Sequence, residues 1–334
     1  MRLPETRARR YVRAARPRRI HLTERDIAVL RALAVHRILS ADQLQRLVLR
    51  CSASRVRRRL RALYDHELID RLSVIAQPTA GVPPVVYVLG AAGNAILAER
   101  GLAAAGTFTA PPGPAFIRHR YLVNDFYVKL VAAIRSSPYR LREWRHEQQL
   151  KLPGVDGRGA VERVAHPTLP EPMPFLPDAY FQLHLDGTGL LAFFVEIDCS
   201  TASQGTWRQR ALLYRAYADP AAGLFRQRFG RETFRVLIQT PREYRRRSRC
   251  NNILATIQRT IGETDLFLAA PLNEVTTDRM LAAIWRRPGA DERVSLTNNP
   301  AAGGAVRVRP VPRASDVAMR VREISRDRAV GNRG

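Results

Sequence analysis

Three carboxylates in apolar company are the residues of this chain best placed to do chemistry. Asp178 follows Pro177, and Glu196 and Asp198 lie two positions apart in the run Phe193-Phe194-Val195-Glu196-Ile197-Asp198. Strand side chains alternate faces, so Glu196 and Asp198 share one side, and antiparallel pairing across the turn Asp186-Gly187-Thr188-Gly189 brings Asp178 towards both. Acids packed among Phe194, Val195 and Ile197 are costly to bury unless a cation or hydrogen bonds compensate. Mg²⁺ would compensate them, and with bound water and a substrate phosphate it could support phosphodiester cleavage. Asp178, Glu196 and Asp198 are therefore the candidate catalytic and metal-binding residues. The competing reading has them capping loops at strand ends and pairing with arginine.

The remainder of the chain is suited to holding a polyanion. Its 334 residues carry 55 Lys+Arg against 30 Asp+Glu, a formal charge of +25 that attracts DNA or RNA. Only Lys129 and Lys151 are lysines, so nearly all of that charge sits on planar guanidinium forks matched to phosphates and to guanine edges. Three scattered cysteines, Cys51, Cys199 and Cys250, offer neither a disulfide framework nor a zinc ribbon. A reducing cytoplasm is the expected location. No apolar run is long enough to span a bilayer, so no membrane insertion is expected. Neither lysine follows a glycine, which leaves no phosphate-binding loop for an ATP-driven motor, and no GxSxG elbow appears. Cys199 has no histidine near it in sequence and reads as a small buried residue.

Several elements must position these groups. Residues 1–20 hold eight arginines with little apolar periodicity and are expected to form a disordered basic arm. A compact domain over residues 21–102 begins at Thr23-Glu24-Arg25-Asp26, a capping pattern followed by Ile27, Leu30 and Leu33 at helical spacing. Ser40 with Gln43 opens a second helix, and a third is expected from Ala53 to His66 with Val56, Leu60 and Leu63 on one face. Strands at Leu68–Ile75 and Val85–Leu89 flank a Pro/Gly loop at Gln77–Pro84, completing a winged helix-turn-helix order. On the third helix Arg55, Arg57, Arg58, Arg59 and Arg61 are the candidate DNA-binding residues: five arginines in seven positions, with no acid between them, repel one another unless an anion is near.

A linker at 103–114 leads to an α/β domain over 115–287 in the order αβββαβαβ. It contains helices at Ile117–Arg135 and Thr206–Ala218, a strand at Phe234–Ile238, a helix opened by Pro241, a strand at Leu266–Leu268 and a last helix at Asp278–Trp285. Residues 288–334, polar and rich in Pro and Arg, are expected to be a loosely ordered basic tail.

The order αβββαβ, with Pro177-Asp178 and then Glu196 on the next strand, resembles the core of the PD-(D/E)XK nucleases. The resemblance implies that Asp178 and Glu196 stand at the two acid positions of that motif, while Asp198 stands where those enzymes place a lysine. Arg208 or Arg210 on the following helix could reach in, although arginine is a poor proton acceptor. A non-cutting version of the fold is thus one implied outcome. Asp125 is a further possible ligand by the same resemblance. Tyr214 and Tyr217, one helical turn apart, resemble relaxase nucleophiles, but no His-hydrophobe-His motif accompanies them and core packing explains them better.

A wider likeness runs through Leu22-Thr23-Glu24-Arg25-Asp26-Ile27, Tyr87-Val88-Leu89-Gly90-Ala91-Ala92-Gly93, Arg118-His119-Arg120-Tyr121-Leu122-Val123-Asn124-Asp125, Pro177-Asp178 and Phe194-Val195-Glu196-Ile197-Asp198. In that order the segments resemble the replication-relaxation family of bacterial plasmid and mobile-element proteins. The resemblance implies double-stranded DNA as partner, with other plasmid replication or relaxation proteins as further candidates. Three functions are compatible: a DNA-binding factor in replication, relaxation or transfer; a metal-dependent nuclease or nickase using Asp178 and Glu196; and a winged-helix transcription regulator with an inert carboxy-terminal domain.

Overall fold

The computed structural model describes residues 11–73, 85–102, 108, 112–153, 159–185, 189–242 and 248–297. The chain divides into two compact units, residues 1–132 and 133–334. In the first, α1 (Glu24–His36) starts where Thr23 donates both its backbone N–H and its hydroxyl to Asp26 Oδ2, each at 2.7 Å. Asp does here what Glu does in the usual capping box. The Ser40/Gln43 pair caps α2 (Ala41–Leu44) reciprocally at 3.0 and 3.1 Å, and α2 runs on into a π-helical turn, Gln45–Leu49. Next come α3 (Ala53–Asp65), β1 (Ile69–Ser73), β2 (Val85–Leu89) and α4 (Ala91–Glu99). β1 and β2 pair antiparallel, with Ile69 opposite Leu89, and Leu39 adds a bridge to Tyr87 on the outer side of β2. Leu30, Leu33, Leu44, Leu60 and Leu63 fill the core between them. The Gln77–Pro84 loop lies outside the described residues.

Two glycines of this unit are required by close approach. A Cβ on Gly90 would stand 2.2 Å from the Glu67 carbonyl oxygen, and one on Gly93 2.1 Å from that of Leu68. The long helix α5 (Pro114–Ile134) has its residues up to 132 in the first unit, so the division falls inside the helix and not at the expected 103–114 linker. Gln43 donates to the Tyr121 carbonyl at 3.2 Å, and Asn124 donates to the carbonyls of His36 and Ile38 at 3.1 and 2.5 Å, joining α5 to the α1–α2 connection.

Within the second unit, β3 (Arg140–His146) leads through a 3-10 turn (Glu147–Leu150) to the small hairpin β4 (Glu162–Val164) and β5 (Met173–Phe175). There follow β6 (Ala179–Leu185), β7 (Gly189–Ile197), α6 (Gln204–Tyr217), α7 (Leu224–Phe229), β8 (Arg235–Thr240), α8 (Arg249–Ile261), β9 (Phe267–Pro271), β10 (Trp285–Arg287) and β11 (Ala290–Val294). The seven-stranded sheet has the order β11-β10-β9-β8-β7-β6-β3. β7, β8 and β9 are parallel, joined by α6–α7 and by α8, while the remaining neighbours are antiparallel. Helices α6, α7 and α8 cover one face, where Phe194, Val236, Trp207, Tyr214, Ile253 and Phe267 interlock.

Two expectations fail at the carboxy-terminal edge. The helix expected over 278–285 is absent: residues 278–284 form turns and Trp285, fully buried, is the first residue of β10, its indole N–H donating to the Met280 carbonyl at 3.0 Å. Residues 288–297 are not loose: Pro288-Gly289, with Gly289 at φ 76°, turns the chain so that β11 pairs with β10. The rest of the expected tail, 298–334, lies outside the described residues.

Candidate nucleic-acid interface and acid cluster

Helix α3 is sorted by its own periodicity. Val56, Leu60 and Leu63 are buried, which turns Arg55, Arg57 and Arg58 to the outside, all exposed. The other two arginines of the expected DNA-binding set are used within the fold. Arg59 forms a two-pronged ion pair with Asp26, its Nε at 2.7 Å from Oδ1, and donates to the His21 carbonyl at 2.8 Å. Burial pushes the Asp26 carboxyl up, but hydrogen bonds from Arg59 and Thr23 more than offset this and hold it below its ordinary value. Arg61 reaches Asp65 at 2.8 Å and the Val12 carbonyl at 2.9 Å. Arg55, Arg58 and Arg59 line an open groove of about 690 Å³ together with Arg25 and Cys51, between the first turn of α1 and α3.

Residues 11–20 of the expected arm lie against this unit. Tyr64 donates to the Tyr11 carbonyl at 2.9 Å, Ala14 N–H to Asp65 at 3.0 Å, and Arg13 pairs with Asp70 on β1. Arg13 and Arg71 stack on the Tyr64 ring at 4.2 and 4.4 Å. Composition alone hides this docking, since its signal is two acids, Asp65 and Asp70, placed beside an arginine-rich segment. Residues 1–10 lie outside the described residues.

The three acids sit at one end of the sheet. Ala179 pairs with Val195, so Asp178 and Glu196 flank each other across the β6–β7 ladder as the alternation argument expects. Each is already engaged. Asp178 Oδ2 accepts the Ile197 N–H at 2.7 Å. Glu196, 3 % exposed, accepts from Arg210 at 2.8 Å on Oε2 and from the Tyr214 hydroxyl at 2.6 Å on Oε1. Asp198, just past β7, takes a two-pronged pair from Arg249 at the start of α8, at 2.7 and 3.0 Å. Arg249 also donates to the Ala202 carbonyl at 2.5 Å.

Arg210 is the centre of this arrangement. Its guanidinium lies 5.1 Å from the centre of the Trp207 ring. The field of Glu196 raises its pKa, against partial loss of hydration, and Asp178, Tyr214 and Asp198 add to the rise. Burial, then the charge of Glu196 and the bond to it, push Tyr214 well above its ordinary value, so the phenol stays protonated and donates. Asp198 and Glu196 point to the α6–α8 face, but towards different arginines.

A divalent ion does not fit this donor set, because the Glu196 and Asp198 oxygens are turned to Arg210, Tyr214 and Arg249 and not to a shared point. Among the described residues no three His, Cys, Asp or Glu side chains are grouped as metal ligands. Asp125, on α5, pairs with Lys129 at 2.8 Å. Tyr217 is fully buried and donates to Glu162 at 3.2 Å, as core packing requires. What sequence reading missed is the partner of Asp198, since Arg249 is 51 residues away.

A basic helical unit followed by a mixed α/β sheet with an arginine-filled acid cluster defines the class of protein. Residues 30–233 match the model of the family described as replication-relaxation, and the chain belongs to that family. The match runs from α1 to the approach to β8 and so takes in α3, the three acids and Arg210. Among curated proteins and among solved structures, none matches the chain. Membership ties the chain to the replication or relaxation of mobile elements. No described helix is long and apolar enough to cross a membrane.

Proposed function

We propose that the protein binds duplex DNA of a plasmid or other mobile element in the cytoplasm and acts there in replication, relaxation or transfer. In this reading the first unit is a winged helix whose α3 grips the duplex, and the second is a PD-(D/E)XK-like module that adds a further DNA or protein contact without cutting. The observation that carries it is the outer face of α3, where Arg55, Arg57 and Arg58 are exposed side by side on a helix whose sole acid, Asp65, is spent on Arg61. Exposed guanidiniums that make no ion pair among the described residues are suited to take up phosphates. The order α1-α2-α3-β1-β2, with the Leu39 bridge beside β2, supports the winged-helix reading. The antiparallel run β3-β6-β7 with β8 parallel to β7 and α6 as crossover supports the nuclease-like topology.

Fluorescence anisotropy with a labelled duplex tests the proposal, run beside a supercoiled plasmid incubated with and without Mg²⁺. Salt-sensitive binding with unbroken plasmid is expected. Absence of binding to duplex and single strand alike in dilute buffer would refute it.

A further inference from the structure

We propose that the Arg210 guanidinium takes the place of the divalent cation in the acid cluster of the second unit, so that the wild-type protein holds no metal ion between Asp178 and Glu196. The inference rests on the nuclease-like reading of that unit and deepens it, by naming the group that makes the site inert.

The geometry supports a built-in cation on three counts. Glu196 is 3 % exposed on the face of β7 covered by α6, beside buried Phe194, Trp207 and Tyr214, where an uncompensated carboxylate is not tolerated, so it must have a permanent positive partner. Arg210 supplies it at 2.8 Å, one helical turn before Tyr214, whose hydroxyl occupies the second carboxylate oxygen at 2.6 Å. Both partners come from the same face of α6, so one helix sets the position of both donors.

A second restraint holds the guanidinium in place. Trp207, one turn before Arg210 and 1 % exposed, presents its ring to the charge at 5.1 Å. Asp198, standing where a motif lysine would be, is removed from the cluster by its own two-pronged pair with Arg249. A metal ion would have to displace Arg210 from Glu196 and repel its fixed positive charge at the same point. Removing the guanidinium should therefore expose a latent metal site made of Asp178 and Glu196.

Terbium luminescence tests this on the full chain, because Trp207 and Tyr214 lie beside the cluster and can sensitise a bound ion. Wild type is expected to give no saturable emission that Mg²⁺ competes away. Arg210→Met, which keeps the side-chain bulk, is expected to gain one saturable, Mg²⁺-competed ion per chain, and Arg210→Met/Glu196→Gln to lose it again. A saturable site in wild type that Glu196→Gln abolishes would overturn the proposal, as would a folded Arg210→Met variant with no gain. Should Arg210→Met fail to fold, the wild-type titration against Glu196→Gln decides alone. Duplex affinity measured on the same samples separates this result from the reading of α3: loss of duplex binding sinks that reading and leaves the metal titration to stand or fall by itself.

Discussion

If α3 grips phosphate, its five arginines must fall into two groups with different phenotypes. Arg55, Arg57 and Arg58 are exposed and make no ion pair among the described residues, whereas Arg59 and Arg61 are bound to Asp26 and Asp65. Each phosphate contact releases about 0.9 counterion from B-form duplex, so the triple variant Arg55→Ala/Arg57→Ala/Arg58→Ala should flatten the slope of log affinity against log salt by about 2.7. Between about 50 and about 200 mM salt, a slope difference of that size amounts to roughly 40-fold, so wild type and variant converge as salt rises. The urea midpoint should stay in place, because these side chains make no ion pair among the described residues.

Arg59→Ala should show the opposite pattern. It strands Asp26, 1 % exposed, with only its Thr23 bonds, at a cost of about 2 kcal/mol, reduced from the full buried-pair value because Arg59 is itself 31 % exposed. Its salt slope should match that of wild type. Anisotropy titrations at four or five salt concentrations, paired with urea melts, read both quantities. An unchanged slope in the triple variant, or an equal loss of slope and stability in both, would show that the exposed face of α3 is not the phosphate contact.

Other perturbations test the supporting structure. His36 is buried, and desolvation, aided by the charge of Arg120 and opposed by a bond with Asn124, lowers its pKa from 6.5 to about 4. Above pH 6.5 neither state takes the proton and stability is complete; as the pH falls towards 4 the unfolded chain is protonated first, so stability drops by up to about 1.4 kcal/mol per unit, about 3 kcal/mol in all. Urea melts across that range should show the decline in wild type and a shallower one in His36→Gln. Gly93→Ala places a methyl 2.1 Å from the Leu68 carbonyl and should cost about 1–3 kcal/mol by chemical denaturation, a loss that Gly205→Ala, in the open first turn of α6, should not share. Tyr214→Phe leaves Glu196 one donor short in a buried setting, and a destabilisation of about 1–3 kcal/mol with unchanged duplex binding is the expected result.

The parts of the fold legible in the sequence are those fixed by neighbours along the chain. Thr23/Asp26 and Ser40/Gln43 announce helix starts because the capping partners are three residues apart, and the Val56/Leu60/Leu63 stripe says which side of α3 faces inward. Strand alternation gives Glu196 and Asp198 one side of their strand, while the β6–β7 register, with Ala179 opposite Val195, sets Asp178 beside Glu196. The misreadings arise where a single contact or turn outweighs the average composition of its segment, at short range for Arg61–Asp65 and Trp285–Met280 and at long range for Arg59–Asp26. Residues 278–285 have helical composition, but Trp285 is held in β10, inside the edge strand β11, and the Pro288-Gly289 turn lies within a segment whose average polarity hides it. Arginine density predicts an interface on α3 without saying which guanidiniums are spent on Asp26 and Asp65, acids 33 residues before Arg59 and four after Arg61.

The same limit governs the acid cluster, and charge balance shows why. A PD-(D/E)XK site with two acids and a lysine carries one net negative charge for a metal ion to meet, whereas Asp178, Glu196 and Asp198 together carry three. Arg210 and Arg249 remove two of the three, and the Ile197 N–H satisfies an oxygen of the remaining carboxylate. On the nuclease-like reading proposed above, Asp198 would therefore not be an isolated loss of a catalytic lysine. It is accommodated by an arginine delivered from α8, while α6 delivers the arginine that satisfies Glu196, so the two cations leave the three acids with one net negative charge, the same balance that a lysine would leave on two acids. On that reasoning Asp198→Lys alone should not restore a nuclease: it would set a third cation beside Arg210 and Arg249 and destabilise the second unit, and a plasmid-nicking assay that instead found Mg²⁺-dependent cutting in Asp198→Lys would contradict the charge argument directly.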